Sequence, residues 1–579
     1  MSSATATRPA PATTADAAHA VRRQLAALSP DLHERFPSNL PRAMAVVRDR
    51  LLAAAWREGL AEPDPRAERF GFGRALMPLS PEGPDPARLA YTLVDGADRV
   101  AVELADATAN LAVAYARRTW SDAVTRQRAR ATGARDSLDL AATLDADGQC
   151  VFFERLATEG HNLHPCGRTR LGWDVADVLR HDLESPGTGL GLVAVRRDLH
   201  LGDDIGETLA DAYPELAHRV DRARYAVTPV HAWQLDRLLP ARYADLLADG
   251  GLVVLPDARL PALPTAALRT LLLPPDRAGQ RRYLKLSLDI QVTSTRRSIS
   301  VASTRNGPTI SALLRTLLDE DPDAARIVLF DEVAGSAMAA GGDRERDLAA
   351  IVRTGLTGRL GPGEVAIPGI ALYSTSPLTG ASVVAELVDR YAVTRGLRQR
   401  AQAARGFVAE YARLLLPAAL RLATRHGIGL EAHLQNCVPT FVGGVPHRLA
   451  LRDFAGLRVH PARLGRPLRL WPGSVIEAPE VTTMQAKLGY TALQAHLGEV
   501  VLRLVLSHGL DEGAAWSAVR DVIDEVYADL AGGPYAAAAA ADHAFLTAPT
   551  MPHKALLRMR LDPAGGDRYV PVDNPLHRA

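Results

Sequence analysis

Apolar and polar side chains alternate along YLKLSLDIQVTSTRR, residues 283–297. Leu284, Leu286, Leu288, Ile290 and Val292 fall on one side; Lys285, Ser287, Asp289, Gln291 and Thr293 fall on the other. That period of two predicts a β-strand. Its polar side carries a cation, hydroxyls, a carboxylate and an amide, and it runs into Arg296 and Arg297, an assembly suited to an anion. An ordinary half-exposed strand is the plainer alternative.

The same pattern reading divides the rest of the chain. Residues 17–60 and 97–120 are Ala-, Leu- and Arg-rich and predict helices, with loops and short strands between 61 and 100. This gives a first, mainly helical domain over 1–160 that begins with a flexible tail through residue 20. From 161 to about 370 short β-like runs alternate with turn residues: 190–197, 223–231, 251–256, 283–293, 325–330 and 364–373. They predict a mixed domain around an antiparallel sheet. Over 371–579 helical periodicity dominates, with helices at 407–427, kinked by Pro417 and capped by Gly427, at 515–533 and at 535–543.

Length and charge narrow the classes. A chain of 579 residues exceeds one hydrophobic core and suggests several domains. With 67 basic and 66 acidic residues the net charge is +1. No global field favours nucleic acid or an anionic membrane, so any anion site is local. Cys150, Cys166 and Cys437 show no CxxC spacing and cannot build a disulfide framework, which points to a reducing, cytoplasmic compartment. No apolar run approaches the roughly 18 residues of a membrane span.

Three further segments carry chemistry. In GHNLHPCGRTRLGW (160–173), Arg168 and Arg170 suit phosphate oxygens; a zinc reading through His161, His164 and Cys166 matches no standard module. Asn306-Gly307-Pro308 predicts a turn feeding a helix N-terminus, which presents free N–H groups to an anion. In GLEAHLQN (429–436) the alternation predicts a strand with Glu431, His433 and Gln435 on one face and Asn436 at its end. Such a polar set is costly to bury without a task, and Glu431 and Asn436 offer oxygen ligands for Mg²⁺. Asp453 in LRDFAG is a further metal or ribose ligand. The glycines of SPGTGLGLV (185–193) lack a nucleotide-loop spacing and read as a turn before a strand.

Taken together and in order, these segments resemble the IucA/IucC family of siderophore synthetases, which work without a nonribosomal assembly line. The loop 160–172 looks like the family's GHPxHPxxKxRxG, with Asn162 in place of Pro and Arg168 in place of Lys. KLSLDIQVTSTRRSIS (285–300) is similar to its KL…TSxxR block, with Lys285, Thr293 and Arg297 in register. EAHLQN (431–436), RDF (452–454), KALLRMRL (554–561) and NPL (574–576) complete the likeness. The resemblance implies an α+β multidomain fold, a dimeric cupped hand with a thumb (1–160), fingers (161–370, with the antiparallel sheet and the ATP site) and a mainly helical palm (371–579). It implies ATP and Mg²⁺ as cofactors, adenylation of a carboxylic acid such as citrate, and capture of the acyl-adenylate by an amine or hydroxyl. By that resemblance His164, Arg168, Arg170, Lys285, Thr293, Ser294, Arg297, Asn306, Gln435 and Asp453 hold the nucleotide; Glu431, Asn436 and Asp453 hold Mg²⁺. Arg297, His433 and Lys285 carry catalysis, with Arg297, His433 and Lys554 binding the acid and His433 a candidate base. The rival readings are a carboxylate–amine ligase outside siderophore assembly and a non-catalytic nucleotide- or carboxylate-binding relative.

Overall fold

The computed structural model describes residues 13–77, 80–216, 220–293, 295–562 and 566–579. Ser294 and residues 1–12 of the expected tail lie outside the described residues. Residues 14–20, also expected in that tail, instead open a helix, Thr14–Leu28, because Thr13 caps it by accepting the Asp16 N–H. The helix Pro30–Arg57 follows with Pro at its first position, and Asp98–Thr132 ends at Gly133 in the left-handed conformation. Leu25, Val47, Leu51, Val100, Leu104 and Leu111 from these helices form one apolar core.

The strand expected over 283–293 is two strands. Arg282–Leu286 lies inside an eight-stranded antiparallel sheet, between Ala350–Thr354 and Thr270–Leu272. Leu288–Val292 instead forms a hairpin with Thr295–Arg297. The break falls at Ser287, whose hydroxyl accepts the Ile299 N–H at 3.1 Å. The apolar side of the second strand, Leu288, Ile290 and Val292, packs into the helical core of the N-terminal third. Leu284 and Leu286 pack into the core of the large sheet. The polar side is not solvated either: Lys285 is 2% exposed.

Asn306-Gly307-Pro308 is not a turn. Ser300 caps a helix running Val301–Asp319, so all three residues lie inside it. Gly307 serves close approach, because a Cβ there would sit 2.3 Å from the Glu332 carboxylate. The 371–579 region carries sheet as well as helix. The long helix Arg400–His426 ends at Gly427 as expected. The hairpin of Cys437–Val442 and Val445–Leu451 then joins Glu364–Ala366 and Ile327–Leu329 in a four-stranded sheet. A second hairpin pairs Thr550–Lys554 with Tyr569–Asp573. The largest core runs through Phe153, Leu314, Val384, Phe407, Tyr411 and Val519, joining residues from all three thirds. No helix among the described residues is long and apolar enough to cross a membrane.

Candidate functional site

The open end of the 437–451 hairpin sets the geometry. The turn 431–436 leads into its first strand and Arg452-Asp453 leave its second. The Arg452 N–H donates to the Asn436 carbonyl (3.0 Å) and its Nε to the Gln435 carbonyl (2.9 Å). Residues 431–436 are thus a turn rather than the expected strand. The predicted sidedness survives: Ala432 and Leu434 are buried between the more exposed Glu431, His433 and Gln435.

Three distant segments meet at this end. One cavity is lined by His161, Asn162, Arg168 and Arg170 from the loop, by Thr293 and Arg297 from the small hairpin, and by His433 and Gln435. A neighbouring recess shares Gln435 and adds Asn436, Arg353 and Asp453. A more spacious cavity of about 650 Å³ lies elsewhere, between the 69–75 hairpin and the C-terminus, and none of the expected site residues lines it.

Arg297 dominates the electrostatics. Its Nη2 donates to Thr293 Oγ1 at 3.1 Å, and its Nε is buried without an acceptor. Thr293 itself holds a left-handed backbone, φ 57°, that aims its hydroxyl there. Among the described residues no carboxylate pairs with Arg297. Burial and the neighbouring Arg269 and Arg170 hold its guanidinium down, to about 9. Such a site favours an incoming anion.

Lys285 is different, because it is already paired. Its Nζ donates to Asp453 Oδ1 at 2.5 Å, and Arg353 Nη2 reaches the same oxygen at 3.1 Å. Burial pushes the Asp453 carboxyl up, but Lys285, Arg353 and Arg269 outweigh it and hold it well below the usual range. Burial lowers Lys285, with Asp453 opposing.

Arg168 and Arg170 line the cavity but are not free phosphate donors. Asp182 takes Arg170 in a two-pronged pair (2.9 and 3.1 Å) and also binds Arg168, which reaches Glu184 at 2.9 Å. Both guanidiniums are held by these carboxylates in the cavity wall. His164 lies behind that wall, 2% exposed. Its Nδ1 accepts the Cys166 N–H (3.0 Å), so the neutral ring carries its proton on Nε2, which is buried without an acceptor. Burial and nearby cations, Arg560 foremost, hold its pKa down to about 3. Asn306 lines neither recess; its side chain pins the Trp471 backbone, accepting that N–H at 2.7 Å.

His433 repeats the imidazole lock, accepting the Gln435 N–H on Nδ1 at 3.2 Å. Burial lowers its pKa, with Glu431 opposing. As a neutral Nε2–H tautomer it is a donor, which suits an orienting group. Its Nε2 lies 4.0 Å from Glu431 Oε2.

Glu431, Asn436 and Asp453 line one small recess. Asn436 Nδ2 donates to the Glu431 carbonyl (3.1 Å), and Glu431 Oε1 accepts from Lys487 Nζ (3.0 Å). Gly456 leaves room for that carboxylate, since a Cβ would fall 1.8 Å from Glu431 Oε2 and displace it. Two carboxylates and an amide suit Mg²⁺, a hard cation that takes few protein oxygens and completes its shell with substrate phosphates. Among the described residues no group of three His, Cys, Asp or Glu could hold a metal, so the zinc alternative at His161, His164 and Cys166 falls away. Lys554 pairs with Asp567 at 2.8 Å. Arg353 lines the neighbouring recess, and Arg269, Asp182 and Lys487 stand beside Arg297, Arg170 and Glu431; none was singled out in the sequence.

Comparison with known proteins gives a consistent result. Residues 149–374 match the IucA / IucC family and residues 406–568 match the ferric iron reductase FhuF-like transporter family. D-ornithine–citrate ligase of Staphylococcus aureus is 28% identical over 463 residues, 73% of this chain and 70% of that protein. Petrobactin biosynthesis protein AsbB of Bacillus anthracis has the same fold, with a TM-score of 0.75 at 20% identity over 94% of this chain and 98% of its own. ATP-bound aerobactin synthetase IucA of Klebsiella pneumoniae gives 0.73 at 20% identity over 92% and 99%. The shared fold is mixed α/β with an antiparallel sheet.

Proposed function

We propose that the chain, whose residues 149–374 match the IucA/IucC family, is a siderophore synthetase of that family that uses ATP to adenylate a carboxylic acid and joins it to an amine or hydroxyl. The observation that carries the reading is Arg297: a cation without a carboxylate partner among the described residues, its Nε–H unpartnered, in a cavity where the 160–170 loop, the 288–297 hairpin and the 431–436 turn meet. D-ornithine–citrate ligase, by its name, joins a citrate carboxylate to an amine, and the IucA relative binds ATP.

A carboxylate approaching the α-phosphate is repelled by it, so catalysis consists of neutralising charge and fixing the line of attack. Arg297 and Lys285 would stabilise the phosphate charge, with Thr293 keeping the guanidinium aimed. The His433 Nε2–H would orient the reacting carboxylate, and Gln435 would line the nucleotide. Glu431, Asn436 and Asp453 would hold Mg²⁺, which when bound supplies charge neutralisation to the phosphates. The carboxylate oxygen bonds to the α-phosphorus and pyrophosphate leaves; the amine or hydroxyl then attacks the acyl carbon, losing a proton as AMP leaves. The cupped-hand division at 160 and 370, a homodimer and a cytoplasmic location belong to the same proposal, the last supported by three free, buried cysteines.

Pairing acids with amines in a product assay tests this. AMP and pyrophosphate should form from ATP only when an acid is present. ADP and phosphate, or no turnover with any acid despite nucleotide binding, would exclude it.

A further inference from the structure

Asn162 lines the same cavity as Arg297 and His433, and its amide is fixed in one orientation. Its Nδ2 donates to the Ala495 carbonyl at 3.3 Å and to Glu499 Oε2 at 2.8 Å. Both partners are acceptors, so the nitrogen must face them and the oxygen must face away. Among the described residues Oδ1 receives no hydrogen bond, and it is not buried. The proline that the motif GHPxHP carries at this position has no such group.

Glu499 is what fixes the amide. It lies on the helix Gly498–His508 and is fully buried. Its Oε2 also takes Arg74, and its Oε1 accepts from Arg503 Nε at 2.7 Å. Burial pushes the Glu499 carboxyl up, but Arg74 and Arg503 outweigh it and hold it well below the usual range. The carboxylate therefore stays ionised, and its charge-assisted bond to Nδ2 polarises the amide and strengthens Oδ1 as an acceptor.

The same cavity presents donors as well: Arg297, and the Nε2–H groups of His161 and His433. Donors suit phosphate and carboxylate oxygens. A fixed acceptor suits the opposite partner, a group that brings its own N–H or O–H. Two properties narrow that partner. An amide oxygen is neutral, so unlike a carboxylate it does not hold an amine as ammonium, and Arg297 in the same cavity disfavours a second cation. Nor is it a base, so a hydroxyl resting on it would still need its one proton removed. A neutral primary amine meets both conditions. One N–H rests on Oδ1 while the lone pair stays free to attack.

We propose that Asn162 binds the attacking nucleophile of the second step, and that this nucleophile is a primary amine delivered in its neutral form. The assignment rests on the adenylating reading and adds to it the residue that selects the nucleophile. The amine lone pair forms the C–N bond to the acyl carbon. The bond from that carbon to the adenylate oxygen breaks, AMP leaves with its electron pair, and the proton lost from the cationic nitrogen passes to water.

The test uses the full chain and ethanolamine, which carries both kinds of nucleophile on one small frame. Each acid that supports exchange of labelled pyrophosphate into ATP is paired with it, in wild type, Asn162→Leu and Asn162→Pro. Wild type should yield the amide, which survives the mild alkali that cleaves an ester. Both variants should raise the KM for ethanolamine roughly 5- to 10-fold, the loss of one neutral hydrogen bond, while pyrophosphate exchange falls far less. An ester product, or no product with ethanolamine although exchange runs, would overturn the proposal. So would an unchanged KM in both variants, or parallel losses of exchange and condensation, the mark of a merely structural asparagine. Absence of exchange in wild type with every acid would instead remove the adenylating reading, and this assignment with it.

Discussion

One local device recurs in this site: His161, His164 and His433 each accept on Nδ1 the backbone N–H two residues ahead. The lock leaves each neutral ring with its proton on Nε2, so all three are donors at neutral pH. Arg297 is the charged member of this donor set, and its isolation from carboxylates has a cost. At pH 7 the guanidinium is protonated in both the folded and unfolded states, and its folded value of about 9 means that the fold bears the full penalty there. Replacing it with Met should therefore stabilise the ligand-free protein by about 1–3 kcal/mol while lowering adenylation by about two to three orders of magnitude. Denaturant unfolding without nucleotide, alongside pyrophosphate release, reads both. A variant less stable yet still active would show that Arg297 is a structural cation.

At the scale of elements, the helix Val301–Asp319 separates positioning from chemistry. Asn306 sits within it and ties down the 471 backbone, so Asn306→Ala should cost about 1–3 kcal/mol of stability and leave ATP affinity unchanged. A selective loss of ATP affinity would restore the nucleotide contact expected from the sequence. The reason the expected turn is absent is physical. Asn-Gly-Pro is turn-forming in isolation, but the Ser300 cap starts the helix earlier, and Gly307 is needed to admit Glu332, which holds Arg353. The 283–297 segment shows the same limit. Its period of two was legible, though Lys285 falls in the large sheet and Arg297 in the separate hairpin. The break at Ser287 and the burial of the polar side were not, because both depend on Ile299, Asp453 and Arg353 arriving from elsewhere. Likewise Arg168 and Arg170 read as free cations until Asp182 and Glu184 are seen to claim them.

Across the whole molecule, burial of neutral histidines sets the response to acid. His231 and His164 are held down to about 3, and His496 to about 4, in each case chiefly by burial. Each takes up a proton on unfolding at any pH between its folded value and about 6.5, so the unfolded chain binds more protons and stability rises with pH there. Asp106, raised to about 6 by burial, works in the opposite sense. The histidines outnumber it. Stability should thus fall as pH drops from 6.5 toward 4, at up to about 1.4 kcal/mol per pH unit for each histidine. Denaturant midpoints at pH 7.5, 6 and 5 check this, and a flat or rising profile would contradict it. The central claim remains that separated parts of one fold assemble an anion cage for carboxylate activation. Its most direct test is exchange of labelled pyrophosphate into ATP, with acid and Mg²⁺ but no amine or hydroxyl acceptor, because only reversible formation of an acyl-adenylate supports it. The account predicts exchange that requires the acid and collapses in Arg297→Met; exchange indifferent to that substitution, or absent with every acid that binds, would contradict it.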